Sequence, residues 1–186
     1  MKNYFAAILC LVLLVMGSGC AFYSTAVDER NVRTVASDTK IKAIILDAFI
    51  QDDTVKTFDI DIACYYGHVY LIGEYDTEKQ KNRAVKIAGD IEGIKDVTTH
   101  LLKKKKGDPC GATDNIAITA KVKAKLIKDG DIWSTNVEVA VVQCNVVFVG
   151  LVGSNKEIDK IIAHAKSVGG VRSVKSFLKL APHYNQ

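Results

Sequence analysis

The sequence predicts an α+β protein made of two tandem copies of one α-β-β-α-β unit, each a three-stranded mixed sheet with two helices on one face. Three observations predict it. The first is an internal repeat without gaps. At an offset of 77 residues Ile41 meets Ile118, Asp52 meets Asp129, Val69 meets Val146, Ala88 meets Ala165 and Leu101 meets Leu178. The second is a glycine register: Gly73 and Gly93 keep in one copy the spacing of Gly150 and Gly170 in the other. The third is a hydrophobic period that changes between helical and strand spacing at matching places in both copies. Hydrophobic residues at 48% and charged residues at 25% belong to a globular chain.

The first unit opens with Ile41, Ile44, Ile45, Ala48 and Phe49 at helical spacing. Phe58, Ile60, Ile62 and Cys64 alternate with Asp59, Asp61 and Ala63, as in a half-buried strand. Tyr66-Gly67-His68 makes the turn, and Val69, Leu71 and Gly73 continue as the hairpin partner. Asp76 or Thr77 caps a helix carrying Ala84, Val85, Ala88 and Ile91; Gly93 ends that region and residues 97–102 form the last strand. The second unit repeats the plan. Its first helix spans about residues 114–128. Strands follow through Val137, Val139 and Val141 and through Val146, Phe148 and Gly150. Ser154-Asn155-Lys156-Glu157 is a capping box ahead of Ile158, Ile161, Ile162, Ala165 and Val168, and residues 173–180 close the sheet.

These elements divide the chain into a first domain over 38–102, a linker over 103–113 and a second domain over 114–181. A domain of this length is marginal alone. Tyr70, Ile72, Ala140, Val142, Val147 and Val149 make the second sheet faces apolar as well. Such faces require cover, so the two units are expected to pack on each other.

The first 19 residues read as a secretory signal peptide: Lys2, an uncharged run from Phe5 to Met16, then Gly17-Ser18-Gly19. Cys20 follows. The arrangement resembles a bacterial lipobox, with Gly17 where leucine is usual, and implies a lipidated, palmitate-bearing Cys20 with residues 21–37 as tether. Several acyl chains anchor stably where one alone is marginal. Ala21 after the cysteine, where aspartate retains lipoproteins at the inner membrane, points to the outer membrane. Of the remaining cysteines Cys10 lies in the signal segment. Cys64, Cys110 and Cys144 allow at most one internal disulfide in an oxidising compartment.

Gly67-His68-Val69-Tyr70-Leu71-Ile72-Gly73, with Gly93-Ile94-Lys95-Asp96-Val97 and Gly170-Val171-Arg172-Ser173-Val174, resembles the BON domain. Its pattern is a G-x-V-x-L-x-G hairpin, a helix and a G-V-x-x-V closing strand. The second hairpin departs from the pattern with Cys144 in place of the first glycine. With the signal and lipobox, the whole resembles the dual-BON-domain lipoproteins of Gram-negative envelopes. The resemblance implies an outer-membrane protein, lipid-anchored and facing the periplasm, that supports envelope integrity without catalysis.

The residues themselves carry little chemistry. Gly67, Gly73, Gly93, Gly150 and Gly170 read as structural, for turns or close backbone approach, since no phosphate loop accompanies them. His68, His100, His164 and His183 are scattered without metal-ligand spacing. Asp59 and Asp61 read as a solvated strand face rather than a catalytic pair. No cofactor, metal, nucleic acid or small-molecule substrate is expected, and a net charge of +4 is only mildly basic.

Two basic features stand out. Lys103 to Lys106 is a four-lysine run in the linker, ordinarily solvated. In the first helix of the second unit, Lys121 and Lys125 replace Ile44 and Ala48, and Lys128 extends the stripe with Lys123 nearby. Ile116, Ala120, Ala124 and Ile127 add a second apolar stripe, and Trp133 follows in the next loop. Such a helix suits anionic phospholipid headgroups. The competing expectation packs the ridge against the first unit with Trp133 in the core. The functional alternative is a protein-interaction adaptor tethering another envelope protein to the outer membrane.

Overall fold

The computed structural model describes residues 32–181, so the signal segment and Cys20 lie outside the described residues. Helix α1 (Val32–Ile50) buries Ile41, Ile45 and Phe49, one stripe of a 3.6-residue helix. Residues 32–37, read as the end of the tether, are helical and hold no glycine or proline to stop the helix. Strands β1 (Ile60–Tyr65) and β2 (His68–Tyr75) form an antiparallel hairpin. Helix α2 (Glu78–Gly89), with Thr77 as the capping residue, crosses over to β3 (Asp96–Lys103), which runs parallel to β2. The helical crossover is what lets the third strand return parallel.

The second domain has the same parts: α3 (Ala112–Lys128), β4 (Val137–Val142), β5 (Asn145–Val152), α4 (Asn155–Lys166) and β6 (Ser173–Leu180). Strand orders are β1-β2-β3 and β4-β5-β6. The pairing register repeats without slippage. Ile60 faces Gly73 and Val137 faces Gly150; His68 faces Asp96 and Asn145 faces Ser173. Each sheet packs one face on its own helices, around Phe49, Val69 and Leu71 in one domain and Leu126, Val146 and Phe148 in the other.

The outer sheet faces meet each other. Ala63, Tyr70 and Ile72 of one sheet bury Val142, Val147 and Val149 of the other, with Tyr65, Leu102, Ala140 and Phe177 around them. The expected mutual cover is therefore what the structure has. Ala63 and Ala140, Tyr70 and Val147, and Ile72 and Val149 are equivalent pairs, so the same patch of each copy makes the contact. Polar ties reinforce it: Gln143 Nε2 donates to Glu74 Oε1 and to the Lys103 carbonyl, both at 2.8 Å.

Several sequence expectations change. Phe58 is not part of β1; it sits in a 3-10 turn (Thr57–Asp59) and is fully exposed. The lysine run is not uniformly solvated, since β3 extends through Lys103 and Lys104 pairs with Asp59 at 2.6 Å. In the capping box Ser154 Oγ accepts from the Glu157 N–H. The Glu157 carboxylate reaches past the cap, accepting from the Gly153 and Trp133 N–H groups at 2.9 Å each. Cys110 pairs with Cys144, their Cα atoms 5.9 Å apart. This bond explains the lost glycine. Gln143 and Cys144 hold φ +47° and +58°, as Tyr66 and Gly67 do at +55° and +78°, the geometry of a two-residue hairpin turn. The disulfide, with Arg172 bonded to both carboxylate oxygens of Asp108 at 2.6 and 2.9 Å, fastens the linker to the second domain.

In each domain an aspartate after the first helix clamps the second helix. Asp52 pairs with Arg83 at 2.7 Å; its equivalent Asp129 meets His164 Nε2 at 2.8 Å and Lys160 at 3.3 Å. The His164 hydrogen bond, backed by the Asp131 N–H and Lys160, lowers the Asp129 carboxyl to about 2. A carboxyl depressed on folding adds stability above its unfolded pKa, and that stability is lost as pH falls through the folded value. Asp129→Asn is therefore expected to lower the urea midpoint at neutral pH. The loss should shrink as the pH approaches 2, which a urea series over pH 2–7 would show.

Candidate lipid-facing helix

Helix α3 buries Ile118, Val122 and Leu126, half-buries Asn115 and Thr119 beside them, and leaves its other residues exposed. Its start is set by Asp114, whose carboxylate accepts from the Gly111 N–H at 2.9 Å. With 3.6 residues per turn, Ile116, Ala120, Lys123 and Ile127 fall on one flank, and Lys121, Lys125 and Lys128 on the other, with Ala124 between them. Ile116 and Ile127 are 70% and 71% exposed, and all four lysines and both alanines are exposed. Trp133 is 49% exposed; its backbone N–H is held by the buried Glu157, so the indole lies on an anchored loop. The ridge and Trp133 are thus surface features, and the competing expectation that they form core is not met.

The structural glycines divide by role. Gly67 makes the first hairpin turn, and Gly93 and Gly170 precede β3 and β6 at positive φ. Gly73 and Gly150 lie mid-strand, where the turn before the first strand passes against the backbone. Asp38, buried in α1, accepts from the Tyr66 and Gly67 N–H groups at 2.8 and 2.9 Å, and Asn115 Oδ1 accepts from the Cys144 N–H at 3.0 Å. Sequence reasoning missed this pair; the offset of 77 that aligns them was the available signal.

Asp61 is exposed on β1, as the solvated strand position expected of it, and it also lines a cleft between edge strands β1 and β4 with Ile72, Lys123, Glu138 and Val149 among others. Asp61 and Glu138 are equivalent at the offset of 77 and line the same cleft. The protein mass around the cleft, and then the Glu138 charge, push the Asp61 carboxyl up, while Lys42 and Lys123 oppose the shift. Glu138 accepts from Tyr65 Oη at 3.2 Å and from Lys42 at 3.4 Å. Among the described residues no cluster of three or more His, Cys, Asp or Glu is placed to hold a metal. Nor is any described helix long and apolar enough to cross a membrane.

The family model described as BON domain matches residues 37–103 and again 114–182. The chain is 33% identical over 144 residues to Osmotically-inducible protein Y of Escherichia coli strain K12, covering 76% of this chain and 72% of that one. It is 25% identical over 169 residues to Outer membrane lipoprotein DolP of Haemophilus influenzae, covering 90% and 87%. Among solved structures it is similar to CdsD, a structural protein of the type III secretion system of Chlamydia trachomatis. That match has 14% identity and a TM-score of 0.32, covering 77% of this chain and 63%, less than two thirds, of that chain. Two matches of one domain model, in step with two identical sheet topologies, place this chain in the BON-domain family, with two BON domains in tandem.

Proposed function

We propose that this is an envelope-associated binding module, lipid-anchored at Cys20 to the outer membrane and facing the periplasm, that binds anionic phospholipid through α3 and so supports envelope integrity. The observation that carries the reading is the outward face of α3, where an exposed apolar ridge runs beside exposed lysines. A soluble fold has no packing use for Ile116 and Ile127 in solvent, whereas an interfacial helix buries them at the acyl boundary and sets its lysines among the headgroups. The similarity to a protein named as an outer membrane lipoprotein supports the envelope assignment. No reaction is assigned.

Each lysine near an anionic surface contributes ~1 kcal/mol. Lys121→Glu with Lys125→Glu is therefore expected to weaken binding of residues 21–186 to anionic vesicles by at least about 30-fold. Raised salt should weaken the native fragment in the same direction. Unchanged binding by a folded double variant would remove α3 from the role.

One observation favours the adaptor reading: β1 and β4 are both edge strands, and they line a shared cleft, a setting in which an extended segment can add to a sheet. Recovery of a defined envelope protein by a fragment with no lipid affinity would replace the first reading with this one.

A further inference from the structure

The first domain carries exposed apolar residues that its own fold does not use. Leu46 and Ile50 on α1 are exposed, Ile50 at 65%, and Phe58 on the following turn is fully exposed. On α1 the buried stripe is Ile41, Ile45 and Phe49. Ala43, Leu46 and Ile50 lie on one flank of it, and at the offset of 77 they match Ala120, Lys123 and Ile127 on α3. The same flank is therefore apolar on the first helix and apolar apart from Lys123 on its counterpart.

The packing of the two sheets brings these flanks to one side of the molecule. Between β1 and β4 lies a cleft where Asp61 and its equivalent Glu138 both stand. From that central cleft the surface runs outward both ways. Towards the first domain, Asp61 and Ile62 are shared with a 560 Å³ groove lined by Leu46, Ile50 and Phe58. Towards the second, Lys123, Val137 and Val139 are shared with a groove lined by Ile127. Phe58 also borders a cleft with Ile116. The side of the sandwich thus has a recessed floor of edge strands and a raised apolar rim on each helix.

We propose that the lipid-facing surface spans both domains: Leu46, Ile50 and Phe58 of the first domain dock on the same anionic phospholipid bilayer as the Ile116–Ile127 ridge of the second. The inference rests on the reading of α3 given above and extends its footprint. A bilayer is the occupant because exposure is concentrated on the rims. An extended peptide would bury the floor and leave Phe58, Ile50 and Ile127 in water, whereas a broad surface meets the rims first. Charge agrees: Lys121, Lys123, Lys125 and Lys128 stand beside one rim, while Asp61 and Glu138 are set in the recess near Lys42 and Lys123. The recess also keeps the edge-strand amides and carbonyls at headgroup depth, where hydrogen-bond partners remain available, and out of the hydrocarbon.

Two reporters in one molecule test this. Phe58→Cys, labelled with an environment-sensitive fluorophore, reports the first domain, and native Trp133 reports the second. Residues 21–186, which contain both folded domains, are titrated with vesicles of phosphatidylglycerol and phosphatidylethanolamine, and with phosphatidylcholine alone. In the anionic vesicles both reporters are expected to shift to the blue and to be quenched by acyl-chain nitroxides. Ile50→Asp with Phe58→Asp, folded by circular dichroism, should bind at least 10-fold more weakly. A Trp133 shift with an unshifted label at position 58 and an undiminished Ile50→Asp, Phe58→Asp affinity would overturn the two-domain footprint and leave the α3 reading standing. Absence of vesicle binding by the native fragment would overturn both. A label that responds to protein concentration and not to vesicles would assign the face to a second copy of the chain.

Discussion

Gly73→Ala or Gly150→Ala is expected to unfold the domain that carries it. Both glycines sit mid-strand at φ +153° and +150°, a region that side chains rarely enter. Space is refused as firmly as conformation. A Cβ on Gly73 would fall on the Asp59 carbonyl oxygen and crowd the Ile60 Cα; one on Gly150 would fall on that of Asn136 and crowd the Val137 Cα. These obstacles are backbone, tied into the ladder by the Ile60–Gly73 and Val137–Gly150 pairings, so they cannot step aside as a flexible side chain would. The cost is expected at or above the ~3 kcal/mol end of single substitutions, nearly equal in the two domains. Gly169→Ala, which meets nothing within 4 Å, is the control. Urea unfolding followed by circular dichroism measures all three. A Gly73→Ala midpoint equal to that of Gly169→Ala would show that the strand can shift away from the turn.

Val149→Asp is expected to separate the two domains. Val149 is buried at the centre of the sheet-to-sheet contact, between Ile72, Val147 and their neighbours. An aspartate there loses its hydration, and its cross-strand partner is Glu138, already negative. An unpaired buried charge costs ~3–5 kcal/mol. Among the described residues the interface is what covers the two apolar sheet faces, so its loss strikes both domains, each near the lower size limit for independent folding. The native chain should unfold in one transition seen alike by Trp133 fluorescence and far-UV circular dichroism. The variant should show an earlier midpoint with the two signals parting. One coincident transition at the native midpoint would mean that the domains do not depend on each other.

Most of the fold was legible in the residues because it is written twice. A strand period of 2 or a helix period of 3.6 is ambiguous over a few residues, but a second copy in register halves the ambiguity. Residues 173–180, read as the last strand, are β6 as it stands. Misreadings came where two physical roles share one pattern. Phe58 extends the alternation of Ile60, Ile62 and Cys64, yet the 3-10 turn before β1 turns it into solvent. Lys104 belongs to a run that reads as solvated, yet it pairs with Asp59 at 2.6 Å. On α3 the composition allowed the ridge to be core or surface with equal reason, and only the direction in which the domains meet leaves it exposed.

The sequence by itself determined the duplicated α-β-β-α-β unit, the turns and the inner stripes of the helices, because these follow from local spacing and from where glycine alone is tolerated. The tertiary structure decided three other things: the pairing of Cys110 with Cys144, the cleft that Asp61 shares with Glu138, and which helix flanks share a side. The physical reason is the same for each. They depend on how one copy is turned against the other, or on which groups the folded chain brings within bonding distance. Neither is a property of residues near one another in the chain.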